Sequence, residues 1–168
     1  GDAELASELT ASIRGEMSEY TPFFVHFAQN ALLYKPALGF FGQIVTSNEG
    51  RAEGTFSVKE SLMPIVNFAR LYALHVGLDE RNTLERLRRL LDKTVLSASS
   101  HAETVSAYDC LMELRLRHQA RAAIRGGQPD NQLNPRHLTE VETAMVRKSL
   151  AQLSLMMKRL SFDFLGHS

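Results

Sequence analysis

"SLMPIVNFARLYALHVGL", residues 61–78, is the stretch of sequence that decides the fold. It contains one formally charged residue, Arg70, and apolar residues recur on every side of the helix that the pattern predicts. A helix that is apolar all round belongs in the middle of a bundle. Pro64 is tolerable in a first helical turn and Gly77 is typical of a helix end, so we predict a helix from Ser61 to Val76.

Start and stop signals predict further helices around this one. Capping-box patterns begin at Asn82, Ser100 and Thr139, and Gly126-Gly127 marks the end of a helix. The predicted spans are Asp2–Tyr20, Thr21 to about Leu33, Asn82 to about Leu96, Ser100 to about Ile124, and Thr139 to about Leu165. The fold class predicted is mainly α, an antiparallel up-and-down bundle of four to six helices.

Residues 38–60 differ in character, because short β-branched and aromatic runs flank a polar, glycine-rich tip. This pattern predicts one β-hairpin in which Gln43–Thr46 pairs with Thr55–Val58. An isolated hairpin is marginal in water, so we expect it to pack on the helices or to reach towards a partner. The stretch "GGQPDNQLNP", residues 126–135, has only loop signals.

Length and composition indicate one domain without a strong overall electrostatic field. The 168 residues include 19 basic and 19 acidic side chains, so we expect neither nucleic acid nor a membrane surface as partner. No apolar run approaches the roughly 18 residues of a membrane span. Cys110 is the only cysteine, which fits a reducing cytoplasm. Because the chain begins with Gly1, we expect it to be a fragment of a longer multidomain protein.

The sequence predicts no metal site and no catalytic residue in this chain. Its histidines show neither the four-residue spacing nor the nearby cysteines and carboxylates of a metal site. Nucleophile-elbow and phosphate-cradling glycine patterns are also missing from the sequence. The histidines are His26, His75, His101, His118, His137 and His167.

The stretch "LRLRHQ", residues 114–119, concentrates donors on one side of a predicted helix. At 100° per residue Arg115 and His118 continue the stripe that Leu111 buries, whereas Arg117 flanks it. Two explanations stay open. The helix end borders a cleft that receives an anion, or the donors pair with the loop at Asp130, Asn131 and Asn134.

Arg70 raises the same question in the central helix. Since that helix is apolar all round, we expect Arg70 to be at least partly buried and therefore paired. One interpretation gives it an internal carboxylate, Asp109 or Glu113. The other leaves its guanidinium pointing into a cleft to receive a phosphate or a carboxylate.

Five separated strings together resemble a known family. They are "PALGFFGQIVT" (36–46), "LMPIVNFARLYALHVGL" (62–78), "NTLERLRRL" (82–90), "LRLRHQ" (114–119) and "PDNQLNPRHLT" (129–139). The chain resembles the nucleotidyltransferase substrate-binding domain, the last domain of bacterial signal-transduction proteins. In those proteins cyclic-nucleotide-binding-like and CBS modules precede a nucleotidyltransferase domain. The resemblance runs from Pro36 to the C-terminus, so residues 1–34 are interpreted as connector helices.

The resemblance implies a helical bundle similar to those beside the catalytic domains of PII uridylyltransferase and kanamycin nucleotidyltransferase. It also implies that the chemistry lies in another domain, whose signature is a Gly-Ser turn followed by an Asp-x-Asp/Glu pair. This sequence has no Gly-Ser dipeptide, and its only Asp-x-Glu is Asp2-Ala-Glu4. We therefore expect no enzyme activity and no cofactor in this chain. Magnesium and a nucleoside triphosphate are expected only with the absent catalytic domain.

The resulting functional prediction is an accessory substrate-binding or regulatory domain that orients an acceptor or nucleotide phosphates beside that catalytic domain. The acceptor's class stays open and includes a protein. The alternative is a non-enzymatic protein–protein interaction or dimerisation module, which leaves a homodimer open. From the matching strings we predict a substrate-binding set of Arg70, Arg115, Arg117, His118, Gln119 and Asn131.

Overall fold

The computed structural model describes residues 21–48 and 53–166, and these form a mainly α-helical bundle, as predicted. The predicted helix over residues 2–20 lies outside this described part. The helices are α1 (Thr21–Ala31), α2 (Val58–His75), α3 (Thr83–Asp92), α4 (Ala98–Ile124) and α5 (Glu140–Leu165). Two short strands, β1 (Phe56–Ser57) and β2 (Gln132–Leu133), and a 3-10 helix (Pro135–His137) complete the described elements.

The central position predicted for α2 is confirmed. This helix packs against each of the other four helices described above. Ile65, Phe68 and Leu71 are almost completely buried in the core that results. Each such side chain contributes about 1.5–3 kcal/mol of transfer free energy relative to an exposed position. The core is completed mainly by leucines of α3, α4 and α5.

The expectation that Arg70 is at least partly buried is wrong, because its side chain is exposed. Lys59, Met63, Val66 and Arg70 are exposed or half-buried and follow one another at spacings of four, three and four residues. They form a stripe along α2 that the other described helices leave open, and Arg70, the one residue of 61–78 with a formal charge, lies on it. Among the described residues Arg70 has neither the expected carboxylate partner nor any other hydrogen bond or ion pair.

The beginning of α2 also differs from the prediction. The Ser57 side chain accepts a hydrogen bond of 3.2 Å from the backbone N–H of Glu60, so the helix begins at Val58, three residues earlier than predicted. Pro64 therefore lies in the second turn and not in the first. Because proline has no N–H, the carbonyl of Glu60 receives no helical bond from it. Gly77, at φ +71°, ends the helix region as predicted.

Two of the three predicted caps are confirmed. Asn82 accepts hydrogen bonds from the N–H groups of Leu84 and Glu85, and Thr139 forms the full reciprocal capping box. The cap predicted at Ser100 is wrong, because Ser97 takes that role and accepts a bond from the Ser100 N–H. Both serines precede residues that can form the first turn of a helix, so either could be the N-cap.

The chain reverses direction where the hairpin is predicted, but the predicted pairing is wrong. The chain doubles back, since the Ser47 N–H donates to the Thr55 carbonyl at 2.8 Å and the Gly54 N–H to the Ser47 carbonyl at 2.9 Å. However, β1 pairs antiparallel with β2, Phe56 opposite Leu133, and not with residues 43–46. The predicted loop 126–135 thus contains a strand. Burial decides this pairing, because it places both apolar side chains in the core.

Candidate functional site

A cavity of about 460 Å³ lies beside the C-terminal half of α4. Its opposite wall is the segment that runs from β2 through the 3-10 helix. The volume falls in the range of about 300–1,000 Å³ that is typical of small-molecule sites. The lining residues are Leu114, Arg117, His118, Arg121, Ala122, Arg125, Leu133, Asn134, His137 and Leu138.

A row of arginines follows one face of α4 along this cavity. Arg117, Arg121 and Arg125 are four residues apart, so they project from the same side of the helix. With a rise of 1.5 Å per residue the row extends over about 12 Å. Arginines at this spacing repel one another by a few tenths of a kcal/mol per pair unless an anion intervenes.

The first arginine of the row is neutralised inside the protein. Arg117 donates a short hydrogen bond to Oε1 of Glu142 and lies 4.0 Å from a carboxylate oxygen of Glu113. Glu142 also accepts a 2.7 Å bond from the backbone N–H of Thr139 through its other oxygen. The bond from Thr139, and then that from Arg117, lower the pKa of Glu142. The same carboxylate therefore caps α5 and ties it to α4.

The other two arginines have no internal counter-charge. Among the described residues the side chains of Arg121 and Arg125 form no hydrogen bond and no ion pair. The lining of the cavity includes no aspartate or glutamate. The carboxyl end of α4 offsets part of this positive charge. Two exposed guanidiniums nevertheless face the cavity unpaired, in a domain whose formal charges sum to zero.

His118 is held on the rim by a carboxylate of the following loop. Its Nε2 lies 2.7 Å from Oδ1 of Asp130, and the same oxygen accepts a 2.9 Å bond from the backbone N–H of Gln132. The bond to His118, and then that from Gln132, lower the pKa of Asp130. An ionised Asp130 fixes the imidazole with its proton on Nε2 and holds the start of β2 near α4.

Asn131 fastens the loop before β2 to α4 at a second point, beneath the cavity, and we call its hydrogen bonds to Arg115 and Gln119 the clasp. Its side-chain oxygen accepts hydrogen bonds of 2.8 Å from Nε of Arg115 and 3.2 Å from Nε2 of Gln119. Its backbone carbonyl accepts a 2.9 Å bond from the N–H of Val58. Three segments, namely α4, the loop before β2 and the start of α2, are joined at this one residue.

A comparison with models of known families shows which family the chain belongs to. Residues 21–164 match the model of a family described as "Putative nucleotidyltransferase substrate binding domain". The chain belongs to this family. The match includes the five described helices except Leu165, the last residue of α5, and every residue that lines the cavity. The comparison with curated proteins and that with solved structures gave no match.

The family is described as a substrate-binding domain and not as a catalytic domain. Within residues 21–48 and 53–166, no group of three or more His, Cys, Asp or Glu side chains is arranged to hold a metal. The cavity lining also lacks the carboxylates that Mg²⁺ prefers, so it does not fit a magnesium site. In the same part of the chain no helix combines the length and the apolar character that a membrane span needs.

The six predicted binding residues separate into three groups in this substrate-binding domain. Arg117 and His118 line the cavity. Arg115, Gln119 and Asn131 form the clasp beneath it, so for them the structure shows internal pairing. Arg70 lies on the open stripe of α2 and does not line the cavity.

Four polar lining residues were absent from the predicted set: Arg121, Arg125, Asn134 and His137. The spacing of arginines at positions 117, 121 and 125 is visible in the sequence and indicates the row. The sequence indicated Asn134 only as a possible internal partner of the donors and did not indicate His137, because the approach of both residues to α4 depends on the pairing of β2 with β1. Asn134 also accepts a 2.9 Å bond from the Arg136 N–H and so caps the 3-10 helix.

Proposed function

We propose that this domain is an accessory substrate-binding or regulatory domain of a bacterial nucleotidyltransferase. In this proposal the cavity beside α4 holds an anionic part of the acceptor or of the nucleotide next to a separate catalytic domain. Magnesium and the nucleoside triphosphate enter with that catalytic domain. The observation that carries the proposal is the pair of unpaired guanidiniums, Arg121 and Arg125, in a cavity of a substrate-binding family.

The chemistry of the donors supports an anionic ligand. A guanidinium presents a planar fork of N–H groups that matches two oxygens of a carboxylate or phosphate. Charge-assisted bonds of this kind are stronger than neutral ones. Because the cavity contains no carboxylate, a bound anion meets no repelling group among the lining residues.

The hydrogen bonds of Asp130 and Asn131 indicate a site that is already formed before the ligand binds. Asp130 and Asn131 fasten the segment before β2 to α4, so the wall carrying Asn134 and His137 is held in place. A pre-formed wall lowers the entropic cost of binding and fixes the orientation of the ligand. An accessory domain requires this positioning, since the reaction itself takes place on the neighbouring domain.

A second candidate function rests on a different surface, the aromatic tip formed by Phe40 and Phe41. These side chains are 96% and 88% exposed, with ring centroids 5.2 Å apart. Exposed aromatic side chains are enriched at protein interfaces. This favours the alternative of an interaction module that docks a protein or a second copy of the chain. Size-exclusion chromatography with light scattering measures the molar mass and so distinguishes a dimer from a monomer.

The test of the first proposal uses the full-length protein with its catalytic domain. Arg121→Ala and Arg125→Ala are expected to raise the KM for the acceptor or the nucleotide about tenfold each while leaving the melting temperature unchanged. Arg147→Ala, an exposed arginine of α5 away from the cavity, is the matched control. Unchanged KM and kcat in both cavity variants would overturn the assignment of the cavity.

A further inference from the structure

We infer that the cavity beside α4 selects an oligophosphate, meaning two or more linked phosphates, in preference to a ligand with one anionic group. The inference rests on the proposed function and names the class of ligand for that site. It depends on how the charges are distributed along the cavity.

The unpaired charges lie in a line and not at a point. Arg121 lies in the last turn of α4 and Arg125 is the C-cap residue four positions later, which places their Cα atoms about 6 Å apart along the helix axis. A single carboxylate that binds one guanidinium bidentately leaves the other without an equivalent partner, and a single phosphate offers both guanidiniums no more than two negative charges near neutral pH. A chain of phosphates carries charge at successive positions and can satisfy both at once.

The remainder of the row limits where such a chain can bind. Arg117 is already paired with Glu142, so the free positive charge is concentrated at the outer end of the cavity. The ligand's charged end is therefore expected between Arg121 and Arg125, with the region around Arg117 kept near neutrality. His118 is likewise engaged by Asp130.

The opposite wall adds one further donor at the same cavity. His137, in the 3-10 helix, is exposed, and its side chain forms no hydrogen bond or ion pair among the described residues. Its imidazole can donate to a phosphate oxygen from the side that faces α4. The cavity thus has three polar groups without internal partners, contributed by two walls.

The inner surface of the cavity is apolar and leaves room for more than phosphate. Leu114 and Leu133 are 5% and 7% exposed, and Leu138 lies beside them in the lining. An organic group attached to the phosphates can rest on these side chains. The oligophosphate can therefore come from a nucleoside triphosphate or from an inorganic chain, and the experiment distinguishes these sources.

The experiment measures binding of orthophosphate, pyrophosphate, tripolyphosphate and ATP to the purified chain by isothermal titration calorimetry without magnesium. We expect tripolyphosphate to bind about tenfold or more tightly than orthophosphate, with an affinity that falls as salt is added. Tighter binding of ATP than of tripolyphosphate assigns the site to a nucleotide, and equal or weaker binding assigns it to an inorganic chain.

Arginine-to-alanine variants show whether the row of arginines is responsible for binding the oligophosphate. Arg121→Ala and Arg125→Ala are expected to reduce the affinity for tripolyphosphate about tenfold each, whereas Arg147→Ala leaves it unchanged. Circular dichroism before each titration verifies that the variants are folded. Equal affinities for orthophosphate and tripolyphosphate, or full affinity in the double variant, would overturn the inference.

These outcomes are separable from those of the proposed function. If the two cavity variants impair turnover in the full-length protein but tripolyphosphate shows no advantage, the substrate site stands and the oligophosphate class fails. If tripolyphosphate binds as expected while turnover is unaffected, the oligophosphate site stands and its role in the transfer reaction fails.

Discussion

The side-chain oxygen of Asn131 accepts a hydrogen bond of 2.8 Å from Nε of Arg115, sixteen residues earlier in the chain. Both residues are half-buried, and the bond joins α4 to the loop before β2. The arginine that the sequence placed on a core-facing stripe is therefore satisfied within the protein. Its partner in turn supports the wall of the cavity.

Asn131→Ala is expected to lower the free energy of unfolding by about 1–3 kcal/mol, because it leaves the donors of Arg115 and Gln119 without their acceptor. Urea denaturation followed by circular dichroism measures the change. Gln128→Ala, at an exposed position of the same loop, is the control. A midpoint equal to that of the control would show that the clasp contributes no stability.

Glu142→Gln is expected to make stability less dependent on pH in the acid range. The pKa of Glu142 is lowered in the folded state, from an ordinary value of 4.5, by its bonds with Thr139 and Arg117. Its contribution is thus present above about pH 4.5 and is lost as the pH falls through the lower, folded-state pKa.

Melting temperatures from neutral pH down to pH 3 test this prediction. The deficit of Glu142→Gln relative to the unmodified protein is expected to be largest at neutral pH and to shrink on acidification. Glu140→Gln, in the same first turn of α5, provides the reference. A deficit that is constant over the whole range would contradict the prediction.

Tyr72→Phe is expected to destabilise the bundle by about 1–2 kcal/mol near neutral pH. The Tyr72 hydroxyl donates a 2.5 Å bond to Asp163, and the guanidinium of Arg159 lies 5.3 Å from the centre of the ring. Removal of the hydroxyl leaves Asp163 with its bond from Arg159 alone.

The same tyrosine predicts a difference at alkaline pH. Burial and then the bond to Asp163 raise the pKa of Tyr72 above its ordinary value of 10.0. A raised pKa stabilises the fold below pH 10 and loses that effect as the pH rises towards the folded-state value. Ultraviolet titration is expected to show a phenolate signal above pH 10 that the Tyr72→Phe variant lacks. A variant with the same titration curve as the unmodified protein would refute this.

Phe40→Ser combined with Phe41→Ser is expected to change the free energy of unfolding by less than about 0.5 kcal/mol, because both side chains are almost fully exposed. Phe56→Ala, by contrast, removes a buried ring and is expected to cost about 3–5 kcal/mol. Chemical denaturation compares the two. A large loss in the double variant would mean that the tip packs within the protein and is not free to dock a partner.

The helices and most of their ends could be predicted from the sequence, because local signals determine them. Thr139 and Glu142 complete their capping box within four residues, and Gly77 ends α2 through its own backbone conformation. Where two local signals compete, as at Ser97 and Ser100, packing of the whole helix decides, and the pattern alone does not rank them.

Relationships between distant segments could not be predicted in the same way. Phe56 has suitable neighbours in residues 43–46, but its partner Leu133 lies in a stretch with only loop signals. Similarly, Arg70 is the charged exception in an apolar helix, and only the positions of the other helices reveal that its side faces solvent. For the site, the sequence indicated the arginine-rich end of α4. The position of His137 beside it could not be predicted without knowledge of the β1–β2 pairing.

That pairing has a consequence for the order in which the protein folds. The hydrogen bond between Thr55 and Gln132 joins residues 77 positions apart, a much longer separation than any bond within a helix. Contacts of long sequence separation form slowly because the intervening chain must first be organised. We expect β2 to dock after α2, α3 and α4 have assembled, so that the cavity acquires its second wall later than its first.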